Sequence, residues 1–441
     1  MPVATRKRID LSEKQTTLLW QQVIGRDLTC TEQGPVRVIY PGRANADEGP
    51  DFRDAVIGQG THLRKGDVEV HVRSSDWYGH EHHHDAAYND VILHVVMWDD
   101  CGSLTLLQSG RSVPVLCLTQ TLRHQPYLLP HRLPCHRILD SLDRQSLTAV
   151  LGSAGERRFK HKAQHLLARS ARPATEDSAE HALFRGMMRA LGYSKNIEPF
   201  EELADRLHLR SVSYAKGLLL KQSLLLGTAG LLPSQRWPGK LFLEPEVQEL
   251  ERIWRSGAQG VNPMDREAWN LTGIYPNNSP VRRIIAQSHL LERYCKEGLL
   301  AGMMRLVMEA SPARGHELLD DGLEVDGNAF WRDHFDFDLR SKTRTSALLG
   351  RNKARGLVVN VALPFAYSWG RSSGQARLSD KAMELYLGYP RMADNYLTRH
   401  MMAQLGLDTP AGLTACHQQG LIDVFRSCCR EGRCSLCPLP V

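Results

Sequence analysis

The chain has 441 residues, of which 42% are hydrophobic and 24% charged, and its formal net charge is +6. This length exceeds one compact core, and the composition is that of a folded globular protein rather than a disordered or fibrous one. The longest apolar runs, such as VILHVVMW, are far shorter than a membrane span, and the charged N-terminus lacks the apolar stretch of a secretory signal peptide. We therefore predict a cytoplasmic protein without a membrane partner.

The predicted fold class is α+β, with an N-terminal mixed β-sheet domain over residues 1–135. Between residues 35 and 120, short runs alternate in polarity and are separated by Gly, Asn, Asp and Ser, as in half-buried strands. These runs are VRVIYPG, RDAVIG, GDVEVHVRSS, NDVILHVVMW, LTLLQS and VPVLCL. Helical patterns follow, and we divide them into a helical domain over 136–345 and a helical C-terminal region over 346–441.

Several helices can be placed from their end signals. Apolar residues spaced four apart predict a helix that Gly192 ends: Leu183, Met187 and Leu191. In NNSPVRRIIAQ, Ser279 is the expected N-cap and Pro280 the first helical residue. A further helix is predicted to begin at Ser379, and another lies in NYLTRHMMAQLGL. The apolar run GLVVNVALPFAYSW fits both a buried strand and a helix.

Two groups of basic residues are candidates for binding nucleic acid. The segment 155–172 carries one group: Arg157, Arg158, Lys160, Lys162, Arg169 and Arg172. Such a helix face can bind phosphates, although a solvated face is the alternative interpretation. Arg282 and Arg283 form the second group, in the first turn of a helix. Exposed cations there oppose the helix macrodipole by roughly 0.3–1 kcal/mol each, so they favour an anionic neighbour unless they are simply tolerated.

Asp51, Glu69 and His71 form the candidate metal and catalytic site. Alternation places Glu69 and His71 on one side of a strand, opposite Val68 and Val70. Asp51 follows the turn signal Gly-Pro and can join Glu69 at one hard divalent ion, Mg²⁺ or Mn²⁺. Such an ion lowers the pKa of a bound water and stabilises charge on a phosphoryl group. The pattern therefore predicts phosphodiester hydrolysis.

Pro50-Asp51 followed by Glu69-Val70-His71 resembles the motif of the PD-(D/E)xK nuclease superfamily. The resemblance implies a restriction-endonuclease-like core, a metal-dependent nuclease and a nucleic-acid partner, with DNA favoured over RNA. It also implies that Glu48 stands for the acidic residue that precedes the sheet in some branches. His71 replaces the lysine of the motif. Because the pKa of histidine is about 6.5, His71 would be mostly neutral and serve as a base or an additional ligand.

A histidine-rich segment follows this strand. His84 and Tyr88, four residues apart, resemble the Gln-x-x-x-Tyr element of the RecB-like nuclease branch, which implies a role in positioning substrate. The histidines also allow a different hypothesis, a transition-metal site that combines imidazoles with Glu69 or Asp51. The histidines concerned are His80, His82, His83, His84 and His94. His94 is expected to point into the same cleft as His71.

Four of the ten cysteines lie in the last fourteen residues, CCREGRCSLCPLPV. Cys434 and Cys437 form a Cys-x-x-Cys pair preceded by Cys428 and Cys429, and closely spaced thiolates favour Zn²⁺ or an iron–sulfur cluster. Cys135 is the best remote fourth ligand, with Cys416 as a nearer alternative. The layout is similar to that of some RecB-like nucleases, in which one remote and three C-terminal cysteines hold a 4Fe–4S cluster.

Stretches spanning nearly the whole chain resemble a bacterial family numbered 2851 among the domains of unknown function. They are NADEGPDFRDAVI, GDVEVHVRSSDWYGHEHHHDAAYNDVILHVVMW, LPCHRI, RALGYSKNIEPFEELA, PNNSPVRRI and GRCSLCPL. This resemblance implies no activity. Three functions therefore remain open. The first is a metal-dependent nuclease. The second is a catalytically inactive nucleic-acid-binding or scaffolding protein, which the absence of the motif lysine favours, and the third is a histidine-rich metalloenzyme acting on a small molecule.

Overall fold

A computed structural model describes most of the chain, which divides into two compact units. The described residues are 12–21, 23, 27–30, 34–45, 47–59, 62–102, 105–120, 135, 143–168, 175–207, 209–213, 215–257, 261–271, 274, 276–311, 315–341, 347–407 and 412–439. Unit 1 comprises Met1–Val150, Asp394–Pro410 and Leu421–Val441, whereas unit 2 comprises Leu151–Ala393 and Ala411–Gly420.

Unit 1 is built on a seven-stranded mixed sheet and a small hairpin. The strands are β1 (Asp27–Cys30), β2 (Gly34–Tyr40), β3 (Arg43–Ala44), β4 (Phe52–Gln59), β5 (His62–Arg73), β6 (Val91–Trp98), β7 (Thr105–Leu106), β8 (Ser112–Val113) and β9 (Val115–Cys117). The order in the sheet is β1-β2-β4-β5-β6-β9, with β3 beside β4, and β7 and β8 pair separately. Pairing is antiparallel from β1 to β5 and parallel from β5 through β6 to β9. The predicted N-terminal mixed sheet is thus confirmed.

One face of β5 and β6 forms the core of unit 1. Val68 and Val70 of β5 are fully buried there together with Val95 of β6, as the alternating pattern predicted. Helix α1 (Glu13–Gln21) adds Trp20, whose indole N–H donates to the carbonyl oxygen of Pro41 at 3.1 Å. The opposite face of β5 therefore carries Glu69 and His71.

A bulge in β4 lies directly before that face. Asp54 has a φ of 61°, and the register with β5 shifts between Phe52 and Ala55. The carboxylate of Asp67 accepts from the backbone N–H of Asp54 at 3.1 Å and from Arg53 at 2.5 Å. We call these two contacts of Asp67 the Asp67 clasp. Because a bulge bends its strand and redirects the neighbouring side chains, the clasp fixes the direction in which the chain passes from Asp51 into β4.

The rest of the chain is mostly helical. The helices after α1 are α2 (Asp76–Gly79), α3 (Arg144–Ala168), α4 (Glu176–Leu191), α5 (Ile197–Arg206), α6 (Leu209–Ser213), α7 (Leu218–Thr228), α8 (Pro233–Arg236), α9 (Pro245–Gly257), α10 (Pro280–Arg293), α11 (Leu299–Glu309), α12 (Gly315–Leu323), α13 (Ala329–Asp333), α14 (Arg351–Leu357), α15 (Leu363–Ser372), α16 (Ala376–Gly388), α17 (Tyr396–Gln404) and α18 (Ala415–Ser427). Short strands β10 (Val325–Asp326) and β13 (Ala347–Leu349) pair, as do β11 (His334–Asp336) and β12 (Leu339–Arg340). None of the described helices combines the length and the apolar character needed to cross a bilayer.

The helix end signals were largely informative. Helix α4 ends before Gly192 as predicted, yet Gly192 has a right-handed φ of −71°. The position requires glycine for lack of space rather than for its φ angle, because a Cβ there would lie 2.4 Å from the carbonyl oxygen of Asn196. Helix α10 begins at Pro280 after Ser279, also as predicted.

Two helix predictions are corrected or completed by the structure. The ambiguous run GLVVNVALPFAYSW is helical, because α14 continues through a π-helical turn at Val358–Ala362 into α15. Helix α16 begins at Ala376 rather than at Ser379, which lies inside the helix. The Ser379 hydroxyl donates to the carbonyl oxygen of Ala376 at 2.8 Å, so it bonds the helix interior instead of capping its end.

The Asp67 clasp gives a stability prediction. Replacing Asp67 with Ala removes a buried anionic acceptor from two donors, which should cost about 2 kcal/mol of local stability. Amide hydrogen exchange in β4 and β5, followed by mass spectrometry, should then accelerate about 30-fold. Asp90→Ala is the matched control, since that carboxylate is exposed beside the same strands. Equal exchange in the two variants would contradict the role of the clasp.

Candidate metal centre

The structure brings the two predicted carboxylates together through the backbone of β5. The backbone N–H of Asp51 donates to Glu69 Oε2 at 2.9 Å, and the N–H of Val70 donates to Asp51 Oδ2 at 3.2 Å. Glu69 is only 4% exposed. Each carboxylate therefore has one oxygen held by a backbone donor at this end of the sheet.

Two imidazoles point at the remaining oxygen of Glu69. His71 Nε2 and His82 Nε2 each lie 3.4 Å from Glu69 Oε1. Both nitrogens are buried and neither makes a hydrogen bond of acceptable geometry within the described part of the chain. An unpartnered buried nitrogen is costly, and ligation of a cation is one way to satisfy it.

His80 completes a group of three imidazoles. Its ligating nitrogen and those of His71 and His82 all lie within 4.8 Å of one another. His71 is buried, His82 half-buried and His80 exposed, so the group leads from the sheet towards solvent. Among the described residues, no other group of three His, Cys, Asp or Glu side chains meets this spacing.

His94 lies behind His71. His94 Nε2 is 3.0 Å from His71 Nδ1, and His94 Nδ1 is 2.8 Å from the hydroxyl of Thr105. Both nitrogens of His94 are thus engaged, which places it as a partner of His71 rather than among the three imidazoles. Burial first, and neighbouring imidazoles second, lower the pKa of His71 to about 2 and that of His94 to about 3, so both rings are neutral.

For the carboxyl groups of Asp51 and Glu13, burial raises the pKa instead of lowering it. Burial, then the charges of Glu69 and Glu13, raise the pKa of Asp51 to about 7. Glu13 itself has a raised pKa, because of burial and then the charge of Glu69. Sequence reasoning missed Glu13, which sits at the start of α1 and joins the electrostatic environment of this centre. Its one signal was an acidic residue opening a helix immediately before the sheet.

The other predicted site residues lie at different depths. Tyr88 is buried, and its ring stacks on His82 with centroids 3.9 Å apart, so it orients that imidazole. His84 is exposed and stacks on His83, and Glu48 is exposed in the turn before Asp51. The described contacts do not bring His84 or Glu48 to the carboxylates.

The predicted thiol site lies in unit 1 and is separate from this centre. Burial first, and then the charges of four other cysteines, raise the pKa of Cys429 to about 12; these four are Cys437, Cys135, Cys434 and Cys428. The remote Cys135 is therefore near the C-terminal cysteines, whereas Cys416 lies in unit 2. Lys65 of β5 pairs with Glu431 at 2.6 Å, and a Cβ on Gly432, whose φ is +63°, would meet Leu63 of β5 at 2.5 Å.

The basic helix α3 presents two kinds of side chain. Arg157 and Lys160 are exposed, and Lys160 lies 3.3 Å from Glu156. Arg158 donates to Gln419 at 2.8 Å, and Lys162 donates to Gln419 at 2.6 Å and to Asn360 at 2.5 Å. Arg169 and Arg172 lie outside the described residues.

Arg282 and Arg283 are fully buried in unit 2. Arg282 donates to the carbonyl oxygens of Trp331, His334 and Ala347, and Arg283 donates to those of Leu348 and Asn277. Backbone carbonyls thus supply the negative partner that arginines in a first helical turn require. These contacts fix the segments around β11 and β13, and they leave neither side chain a surface on which to meet a phosphate.

A family model described as a protein of unknown function, DUF2851, matches residues 13–394. The chain belongs to this family. No curated protein and no solved structure matches the chain. The family membership carries no activity, so functional inference depends on the geometry of the centre.

The raised pKa of Asp51 predicts a pH dependence for metal binding. An Asp51 carboxyl with a pKa of about 7 is protonated below that pH and must lose its proton to bind a cation. Mn²⁺ affinity, measured by calorimetry, should therefore fall below pH 7 by about tenfold per pH unit. Asp51→Asn should bind more weakly and with a shallower pH profile in that range, since the imidazole ligands must also be neutral to bind a cation. A wild-type affinity that is constant between about pH 6 and pH 8 would contradict this role.

Proposed function

We propose that the protein is a metal-dependent phosphodiester hydrolase that acts on nucleic acid. The observation that supports this most is the convergence of Asp51, Glu69, His71 and His82 at one end of a mixed sheet, with two imidazole nitrogens left unpartnered. A cation bound by these groups would lower the pKa of a bound water and stabilise charge on a phosphoryl oxygen.

The side chains of this centre have distinct roles. Asp51 and Glu69 supply negative charge, and their hydrogen bonds to backbone N–H groups keep one oxygen of each fixed. His71, held by His94, presents a neutral nitrogen and no positive charge. Tyr88 and Trp77 pack on His82, with ring centroids 3.9 Å and 5.3 Å away, and hold it towards Glu69. Rigid positioning of this kind is what a hydrolytic centre requires.

The exposed cations of α3 provide a candidate surface for phosphates. Arg157 and Lys160 face solvent, and binding through them would be largely independent of sequence and weakened by salt. In this proposal, Arg282 and Arg283 serve the fold of unit 2 instead.

Glu69→Gln tests the proposal directly. The substitution keeps shape and burial but removes the negative charge that faces His71 and His82, so cleavage should fall at least a hundredfold, corresponding to about 3 kcal/mol. The assay uses labelled single-stranded, duplex and branched DNA, and RNA, with Mg²⁺, Mn²⁺ or Co²⁺ added. Glu81→Gln is the matched control, because Glu81 is exposed in the turn before His82. Absence of cleavage by wild-type protein with confirmed metal content would overturn the proposal.

The same variant separates the alternatives. A catalytically inactive nucleic-acid-binding protein would bind nucleic acid equally well before and after Glu69→Gln and show no cleavage in either form. A metalloenzyme acting on a small molecule would hold its metal through the imidazoles and bind no nucleic acid.

We also propose that the thiols of unit 1 bind Zn²⁺ or an iron–sulfur cluster. Burial first, and neighbouring cysteines second, disfavour the thiolates of Cys429 and Cys437, and a bound cation would offset both effects. Cys428 Sγ is 3.8 Å from the carbonyl oxygen of Leu436, and Gln404 donates to Cys135 Sγ at 3.3 Å. These contacts would orient the thiols around a bound ion and tie the C-terminus to the sheet.

Elemental analysis and an absorbance spectrum after anaerobic purification test the thiol site. Stoichiometric zinc, or iron with sulfide and visible absorbance, should be present in wild-type protein and lost in Cys434→Ala. Cys101→Ala is the control, since that thiol is exposed in unit 1 and outside the C-terminal group. Metal-free wild-type protein, or equal metal in both variants, would contradict the prediction.

A further inference from the structure

We infer that the centre at the end of β5 selects a transition-metal ion, bound by imidazoles of His71, His82 and His80 together with Glu69, in preference to Mg²⁺. The inference specifies the metal of the proposed hydrolase and in that respect depends on the proposed function. Metal selectivity can nevertheless be measured without any cleavage assay.

In the part of this centre that the structure describes, the donor atoms that lack hydrogen-bond partners are mostly nitrogens. Glu69 Oε2 and Asp51 Oδ2, which a hard cation would prefer, already accept backbone hydrogen bonds. The atoms that lack partners are His71 Nε2 and His82 Nε2, and both are 3.4 Å from Glu69 Oε1. His71 is fully buried, so water cannot satisfy its nitrogen from bulk solvent. The unsatisfied donor set is therefore two nitrogens and one oxygen.

A chain of polar contacts lies behind His71 and fixes its ring. His71 Nδ1 contacts His94 Nε2, and His94 Nδ1 contacts the Thr105 hydroxyl, at 3.0 Å and 2.8 Å. When His71 donates from Nδ1 to His94, its Nε2 carries a lone pair aimed at Glu69. A metal-ligating histidine usually donates its other ring N–H to a fixed acceptor.

The chemistry of this donor set favours a transition-metal ion. Imidazole suits Zn, Fe, Co and Ni, whereas Mg²⁺ takes oxygen ligands in a near-ideal octahedron and retains waters. Two histidines and one carboxylate leave positions open for water or substrate, as catalytic metal sites do. His80, exposed with its ring centroid 5.0 Å from that of His71, lies where a further nitrogen can enter from the solvent side.

Cobalt titration of the full-length protein tests the inference. Co²⁺ reports its ligands by visible absorption, so the protein is titrated with Co²⁺ alone and then challenged with about a hundredfold excess of Mg²⁺. We expect one Co²⁺ at this centre that Mg²⁺ does not displace. Thiol-bound Co²⁺ is removed from the comparison by performing all titrations in a Cys434→Ala background, with folding checked by circular dichroism.

Two imidazole variants and one control complete the experiment. His82→Gln and His80→Gln should weaken Co²⁺ binding by about tenfold or more and alter its spectrum. His62→Gln, which changes an exposed histidine at the other end of β5, should leave both unchanged. His82 is half-buried and His80 exposed, so neither change disturbs the sheet core.

The outcomes separate this inference from the proposed function. Displacement of Co²⁺ by Mg²⁺, wild-type affinity in His82→Gln, or failure of the folded protein to bind Co²⁺ would each overturn the inference. Cleavage supported by Mg²⁺ together with any of these results would leave the proposed hydrolase standing. Tight, histidine-dependent Co²⁺ binding without cleavage of any nucleic acid would overturn the hydrolase and leave the metal site.

Discussion

The centre depends on one constraint, the burial of a carboxylate and an imidazole on the same face of β5. Glu69 is 4% exposed and His71 is fully buried, and polar groups in such positions are costly unless they are paired. Backbone N–H groups satisfy one oxygen of Glu69 and one of Asp51, but the facing nitrogens of His71 and His82 are left over. A cation at this point would satisfy both nitrogens and the remaining oxygen of Glu69 together, which is why the metal hypothesis follows from packing as much as from sequence.

Local patterns predicted the parts of this arrangement that depend on local geometry. Alternation placed Val68 and Val70 in the core and Glu69 and His71 on the other face, since side chains of a strand alternate in direction. The turn signal before Asp51 was also correct, but the bulge that redirects the chain needs Asp67 of the neighbouring strand, which no single-strand pattern reveals. Similarly, the approach of Glu13 and of His82 to Glu69 is tertiary, and the run of histidines alone could not distinguish His82 from the exposed His84.

Charge patterns were less informative than alternation because they do not report burial. Arg282 and Arg283 looked like phosphate ligands in the sequence, yet in the fold their guanidinium groups satisfy backbone carbonyls of the segments around β11 and β13. An arginine can do this because its planar group carries five donors, so one buried side chain can hold several loop segments. The run around Val358–Ala362 fitted both a strand and a helix for a different reason. It contains a π-helical turn, which breaks the 3.6-residue period, so the sequence shows neither a helical nor a strand periodicity there.

The histidine at position 71 is consistent with its surroundings in a way that a lysine would not be. Burial, and then the neighbouring His94, His82 and His80, lower the pKa of His71 to about 2, so a positive charge at this position is strongly disfavoured. A lysine would be subject to the same desolvation and would also repel a bound cation, whereas a neutral imidazole adds a donor atom without adding charge. The neutral imidazole at position 71 coincides with imidazoles at positions 80, 82 and 94 around the same point. The four histidines are therefore best understood together, as one group of imidazoles around His71 and Glu69.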